Sequence, residues 1–299
     1  MKKNIFISAI VATLLFGTSS LVAKEDALKL TTQQSSVKQE IKKQKEAFVE
    51  APKEIVEGFK QTLLAITSLE NNQTKEAKSA LEQAKKSFDR ALKADATLDI
   101  VPFEQEIIVN EFLGDSVSVE KALKLATKMI ENHDTQSARA ILMPLEDEMI
   151  ITTHSMPMKL YPVATKEALA VLEKGNAEEA LTLLQTSFNI ILKERVLIPL
   201  PLLMAEDLVI ESSLLDKAKK EEALKLLNLA QDELQKALYL GYTKEYSLAY
   251  KSLEEEIETI KKEIKGKNVV EKLYEKIKKS FFSLISDTKS GSAEEKKEK

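Results

Sequence analysis

The 299-residue chain has no cysteine and no tryptophan, seven glycines, seven prolines and two histidines. Without cysteine there is no thiol nucleophile, no cysteine-ligated zinc and no disulfide. A chain without cross-links must be held together by its core, and this one is long enough to build one. The two histidines, His133 and His154, offer little for a metal. His133 lies in the polar turn "ENHDT", and the carboxylates nearest to His154 are the consecutive Glu146, Asp147 and Glu148, not a set at ligand spacing. There is no H-E-x-x-H, no glycine-rich phosphate loop and no G-x-S-x-G. No catalytic residue, cofactor or metal is therefore expected, and the sequence reads as that of a non-enzyme. An excess of basic residues is missing as well: the formal charge is −4, which argues against a nucleic-acid partner.

Long apolar runs are absent except at the start. "MKKNIFISAIVATLLFGTSSLVAKED" has a basic end, Lys2 and Lys3, then an apolar run from Ile5 to Phe16, then Ala23 as a small residue before Lys24. This is the anatomy of a secretory signal, and it predicts a leader over residues 1–23 and a mature chain in the periplasm. No membrane span is expected once the leader is removed. The run "VLIPLPLLMA", Val196–Ala205, is only ten residues long and carries Pro199 and Pro201. A membrane helix needs about 20. The run is expected instead to be a buried, stiff joint between helices, with polyproline-like backbone through its centre.

Alanine, leucine, lysine and glutamate are abundant, and that composition favours helix. Four segments share one pattern: "KEAKSAL", "QSARAIL", "EEALTLL" and "EEALKLL". Ala77, Ala138, Ala180 and Ala223 occupy one slot. Three residues later come Ala80, Ile141, Leu183 and Leu226, and four residues later Leu81, Leu142, Leu184 and Leu227. Eight residues before the slot stand Leu69, Ile130, Leu172 and Leu215. Spacings of three and four share one helix face. The polar stretches "ENNQT", "ENHDT", "EKGNA" and "DKAKK" separate the two halves of each unit, so each unit predicts two antiparallel helices joined by a tight turn. The alanine slots are 61, 42 and 43 residues apart, too uneven for a strict solenoid.

The fold class expected is mainly α: an array of antiparallel helical hairpins with a small two-stranded β patch. The patch comes from "EQEIIVNEF" and "EMIITTHSM", whose β-branched centres are predicted to pair and to end the second hairpin near Pro144. Two further helices are predicted over residues 244–265 and 269–285. The expected organisation is a leader (1–23), a partly helical extension (24–50), one helical domain (51–286) and a disordered charged tail (287–299). By strand alternation Glu148, Thr152 and His154 share a face. With Pro157 and Tyr161 they form the candidate pocket for a small molecule or a partner.

Some segments are distinctive. "ARAILMPLEDEMIITTHSMPMKLYP", "ALAVLEKGNAEEALTLLQTSFNIIL", "VLIPLPLLMAEDL" and "LLNLAQDELQKALYLGYTKEY", in that order, resemble the YfdX family of bacterial periplasmic proteins across residues 51–286. The resemblance implies an exported, mostly helical protein, associated with stress responses, with oligomer formation and with small-molecule binding. It supplies no catalytic residues. Small molecules, client proteins or further copies of the chain are the partners expected. A tetratricopeptide-like scaffold is the alternative, but the Trp/Gly/Tyr pattern of that repeat is missing.

Overall fold

The computed structural model describes residues 22–265 and 270–294. The elements are α1 (Val22–Ala47), α2 (Lys53–Glu70), α3 (Thr74–Ala94), β1 (Ile100–Asn110), α4 (Ser116–Glu131), α5 (Thr135–Leu142), β2 (Glu148–Pro157), α6 (Tyr161–Glu173), α7 (Ala177–Phe188), β3 (Leu192–Pro199), α8 (Leu200–Leu214), α9 (Lys220–Tyr239), α10 (Leu248–Lys265) and α11 (Glu271–Glu294). The fold is mainly α with a small antiparallel sheet. All of the expected leader except Val22 and Ala23 lies outside the described residues, as do residues 295–299 of the expected tail. Helix α11 runs to Glu294.

The four repeated units are four hairpins: α2–α3, α4–α5, α6–α7 and α8–α9. The alanine slot is buried in all four, at Ala77, Ala138, Ala180 and Ala223. Alanine suits it because the facing helix comes close. In the first hairpin the approach is closer still at Gly58 of α2, where a Cβ would stand 2.7 Å from the Phe88 ring of α3. Three of the turns are one device. Asn72, His133 and Gly175 hold the third position of "ENNQT", "ENHDT" and "EKGNA", and all three have positive φ, at 59°, 61° and 91°. In each, the N–H of this residue and that of the next turn back onto the carbonyls of the preceding helix: Asn72 to Leu69 and Gln73 to Ser68, His133 to Ile130 and Asp134 to Met129, Gly175 to Leu172 and Asn176 to Val171. This is the left-handed cap that satisfies the last carbonyls of a helix. The second hairpin adds N-caps: Asp115 accepts from the Ser118 N–H and Asp134 from the Ser137 N–H. Helix α5 ends at Leu142, just before Pro144, as its sequence predicts.

The sheet has three strands in the order β1–β2–β3, one more than expected. The third, "LKERVLIP", comes from the front of the apolar run, whose β-favouring Val196–Ile198 the two prolines mask when the run is taken as one joint. Its second half corrects the expectation too. Pro199, at φ −66° and ψ 119°, ends the strand, and Pro201 lies in the first turn of α8. An N-terminal proline costs a helix nothing, since that N–H has no partner within the helix. The run is buried as expected, at Ile198, Leu200, Leu202, Leu203 and Met204, but it is half strand and half helix.

Over the described residues the chain divides into two compact units. The first takes the described residues up to 45, 107–151 and those from 195 onward; the second takes 46–106 and 152–194. Each has its own core. In the first, Met149 and Ile151 of β2 and Ile198 of β3 join Leu202, Leu208, Leu227, Leu234, Leu253, Ile257 and Phe281. In the second, Ile55, Leu81, Phe88, Met156, Tyr161, Leu184 and Phe188 are fully or almost fully buried. There hairpin packs on hairpin, α3 against α6 and α2 against α7.

The repeated turn generates opposite expectations at two of its members. A Cβ at Gly175 would meet nothing within 4 Å, so Gly175→Ala carries only the conformational penalty, about 1–2 kcal/mol. His133→Gly should instead stabilise, by up to about 1 kcal/mol. Urea midpoints of the two variants check this, and shifts of the same sign would contradict the left-handed assignment.

Candidate functional site

A buried ionic cluster organises the first unit around Asp147, the residue before β2. Its Oδ2 lies 2.8 Å from Lys236 Nζ, which lies 2.7 Å from Glu233 Oε2; all three side chains are at most 2% exposed. Glu233 and Lys236 meet because residues three apart on α9 are neighbours. Every other polar group of Asp147 is also engaged. Its Oδ1 accepts from the Phe112 N–H at 3.3 Å, its carbonyl accepts from the Leu200 N–H at 2.9 Å, and its N–H donates to the Tyr242 hydroxyl oxygen at 3.1 Å. Tyr242 in turn donates to Glu148 Oε2 at 2.9 Å. Gly241 places that tyrosine: at φ 83° it closes α9 with the same left-handed cap as the hairpin turns. Beside the cluster, Asp232 accepts from the Ser116 hydroxyl, and Asn110 donates to Glu146 at 2.9 Å.

The electrostatics follow from burial and from the contacts of Lys236 with both carboxylates. Burial pushes the Asp147 carboxyl up to about 6, against the attraction of Lys236 and with help from Glu233. Burial works against the Lys236 ammonium, but Asp147 and Glu233 outweigh it and hold this lysine protonated above its ordinary range. Glu148 is raised by burial, the Tyr242 hydrogen bond opposing. Burial raises Tyr242 as well, so it remains a neutral hydroxyl. The cluster has the shape of a structural hub.

Of the predicted pocket residues, Glu148 belongs to the first unit and to this network. Thr152, His154, Pro157 and Tyr161 belong to the second unit. Thr152 is half-buried on β2, and Pro157 ends that strand, its carbonyl accepting from the Leu160 N–H at 3.0 Å. His154 Nδ1 lies 3.3 Å from Glu104 Oε2, an exposed carboxylate, so the pair contributes little. Tyr161 is fully buried, its hydroxyl donating to the Ile190 carbonyl at 2.7 Å and its ring standing edge-on to Phe188 at 4.4 Å. Phe59 and Phe103 connect the Tyr161 ring to that of His154. Tyr161 is thus a core residue there. Among the described residues no cluster of three His, Asp or Glu side chains could hold a metal, and no helix is long and apolar enough to cross a membrane.

The second feature is a surface. Ile130, 53% exposed, and Leu142, 37% exposed, occupy slots whose counterparts Leu69, Leu172, Leu81, Leu184 and Leu227 are buried. With Met143, 63% exposed, they rim an open groove of about 470 Å³ between α4 and α5, with Ala138 as its floor and Thr135 and Arg139 beside it.

The sequence reading missed Asp147, Glu233, Lys236 and Tyr242. A signal for Glu233 was available: the buried stripe Ala223, Leu226, Leu227, Ala230, Leu234 and Ala237 carries Glu233 within its helical register. No such period marks Asp147.

A mainly α protein of helical hairpins with a small sheet is the class that these observations define. Residues 59–196, just under half of the chain, match the family model of the YfdX protein. The match contains Glu148, His154 and the groove; the "VLIPLPLLMA" run begins at its last residue. A solved structure of Salmonella Typhi YfdX is similar at 17% identity and a TM-score of 0.34, over 49% of this chain and 91% of that one. No curated protein matches the chain.

The hub makes a stability prediction. Lys236→Met removes the ammonium that both carboxylates touch and should cost about 3–5 kcal/mol. Tyr242→Phe removes the acceptor of the Asp147 N–H and should cost about 1–3 kcal/mol. Chemical denaturation decides: a change within about 0.5 kcal/mol for both would mean that the network is solvated, not buried.

Proposed function

We propose that this protein is a non-catalytic binding protein of the bacterial periplasm that holds apolar small molecules or apolar segments of client proteins. The observation that carries this reading is the groove of the second hairpin. Two slots lie open there, rimmed by Ile130, Leu142 and Met143, whereas Leu81, Leu184 and Leu227 in the one slot and Leu69 and Leu172 in the other are buried and Leu215 is half-buried. Contiguous exposed apolar surface of this kind is a recurrent mark of binding sites. Arg139 beside the groove favours ligands that also carry an acidic group. The basic–apolar–small start of the chain supports the compartment.

An anionic, environment-sensitive dye such as anilinonaphthalene sulfonate is the probe. It should bind the purified protein saturably and in competition with apolar acids. Ile130→Glu combined with Met143→Glu should weaken binding several-fold while leaving the denaturation midpoint almost unchanged, since both side chains are exposed. Dye binding that survives this double change would overturn the groove as the site. For the compartment, mass spectrometry of the periplasmic fraction should find a chain beginning near Lys24, and an intact Met1 in the cytoplasm would contradict export.

A further inference from the structure

The repeat shows what covers such a slot elsewhere in the chain. In the second unit the first and third hairpins close on each other. Leu69, Ala77 and Leu81 of the one and Leu172, Ala180 and Leu184 of the other are buried in one core, with α3 against α6 and α2 against α7. In the fourth hairpin Ala223, Leu226 and Leu227 share a core with Ile260 and Ile264 of α10 and Ile277 of α11. Helices cover the slots in all three. The second hairpin is the exception: among the described residues, its Ile130, Ala138 and Leu142 belong to neither core.

Helix α6 shows the chemistry of a cover. It buries Tyr161, Ala164, Thr165, Ala168 and Leu172, whose spacings of three and four make one face. At the end of that face Glu173 Oε1 lies 3.1 Å from Lys78 Nζ of α3. Lys78 follows the alanine slot of the first hairpin as Arg139 follows Ala138 in the second. The groove therefore repeats the surface on which α6 lies. It has the same small floor, apolar rims at the same two slots, and a cation one residue after the floor.

We propose that the groove takes a short amphipathic α-helix of a partner protein, with apolar residues at spacings of three and four and a carboxylate at the end of that stripe facing Arg139. The inference rests on the groove being the binding site, and it adds the conformation and the charge of the occupant. Two adjacent helices leave a furrow between their side-chain ridges, and a third helix packs into it. An extended segment would turn backbone N–H and C=O groups toward the apolar rim without partners, whereas a helix bonds its own. A second copy of the chain fits less well. Its α6 is spent in the second core, and its α5, which its own second hairpin would present, has eight residues with Ala138 the one buried.

The probe is a fluorescently labelled peptide with the sequence of α6, Tyr161–Glu173, titrated into the full chain and followed by anisotropy and circular dichroism. Binding should saturate and add helix signal. It should be lost with the protein variant Ile130→Glu, Met143→Glu, and with a peptide carrying Ala168→Pro, which breaks the helix. A peptide carrying Glu173→Lys should bind about three- to fivefold more weakly, and Arg139→Glu in the protein should recover that loss. Peptide binding without helix gain, binding that survives the double change, or a charge exchange that recovers nothing would each overturn the proposal. So would self-association that the double change abolishes, which would give the groove to a second copy. Dye binding in the groove without peptide binding would sink the helix and leave the binding site standing; failure of both would remove the site itself.

Discussion

The first unit depends on a single residue having no polar group left over. Asp147 spends its N–H on Tyr242, its carbonyl on Leu200 and its two carboxylate oxygens on Phe112 and Lys236. Four segments distant in sequence are thereby fixed at one point: the entry to β2, the approach to α4, the first turn of α8, and the end of α9. The Leu200 bond solves a specific problem. A helix that opens with Pro199–Leu200–Pro201 has few N–H groups to satisfy, and the one at Leu200 finds a carbonyl outside the helix. The prolines and the aspartate are therefore parts of one joint.

The hairpins show what a repeat with an uneven period keeps and what it gives up. It keeps the small residue where helices approach, with alanine in all four slots buried. It keeps the left-handed turn in three of four, met by asparagine, histidine and glycine in the same position. Asparagine and glycine tolerate this backbone readily and histidine less well, so the turn is imposed by the hairpin rather than chosen by the residue. What the second hairpin gives up is cover. Its α4 rests on α9, whereas α5 packs chiefly on α4.

The helical architecture was legible because its signal is periodic. Apolar spacings of three and four survive any tertiary context, and the polar turns break them at the right places. The third strand was not legible, because Leu192–Pro199 has exposed residues over its first half and shares its apolar half with a helix start. The candidate site was legible only at its edge. Alternation put Glu148, Thr152 and His154 on one strand face, but a strand face says nothing about which core each residue enters, and Tyr161 entered one as a packing residue. The hub itself joins residues 112, 147, 200, 236 and 242. Contacts of that sequence separation leave no local pattern, except where Glu233 interrupts an apolar helix stripe.

The groove and the hub are consistent with one economy of stabilisation. Leaving Ile130 and Leu142 partly exposed forgoes a part of the about 1.5–3 kcal/mol that full burial of each side chain would contribute. The second hairpin recovers order locally instead, through the Asp115 and Asp134 caps and the left-handed turn at His133. Its attachment to the rest of the unit is polar as well: the Ser116 hydroxyl binds Asp232, next to Glu233 of the cluster. Caps and buried hydrogen bonds fix geometry without consuming apolar surface. A hairpin fastened in this way can present its apolar face outward and still hold the walls of the groove in register.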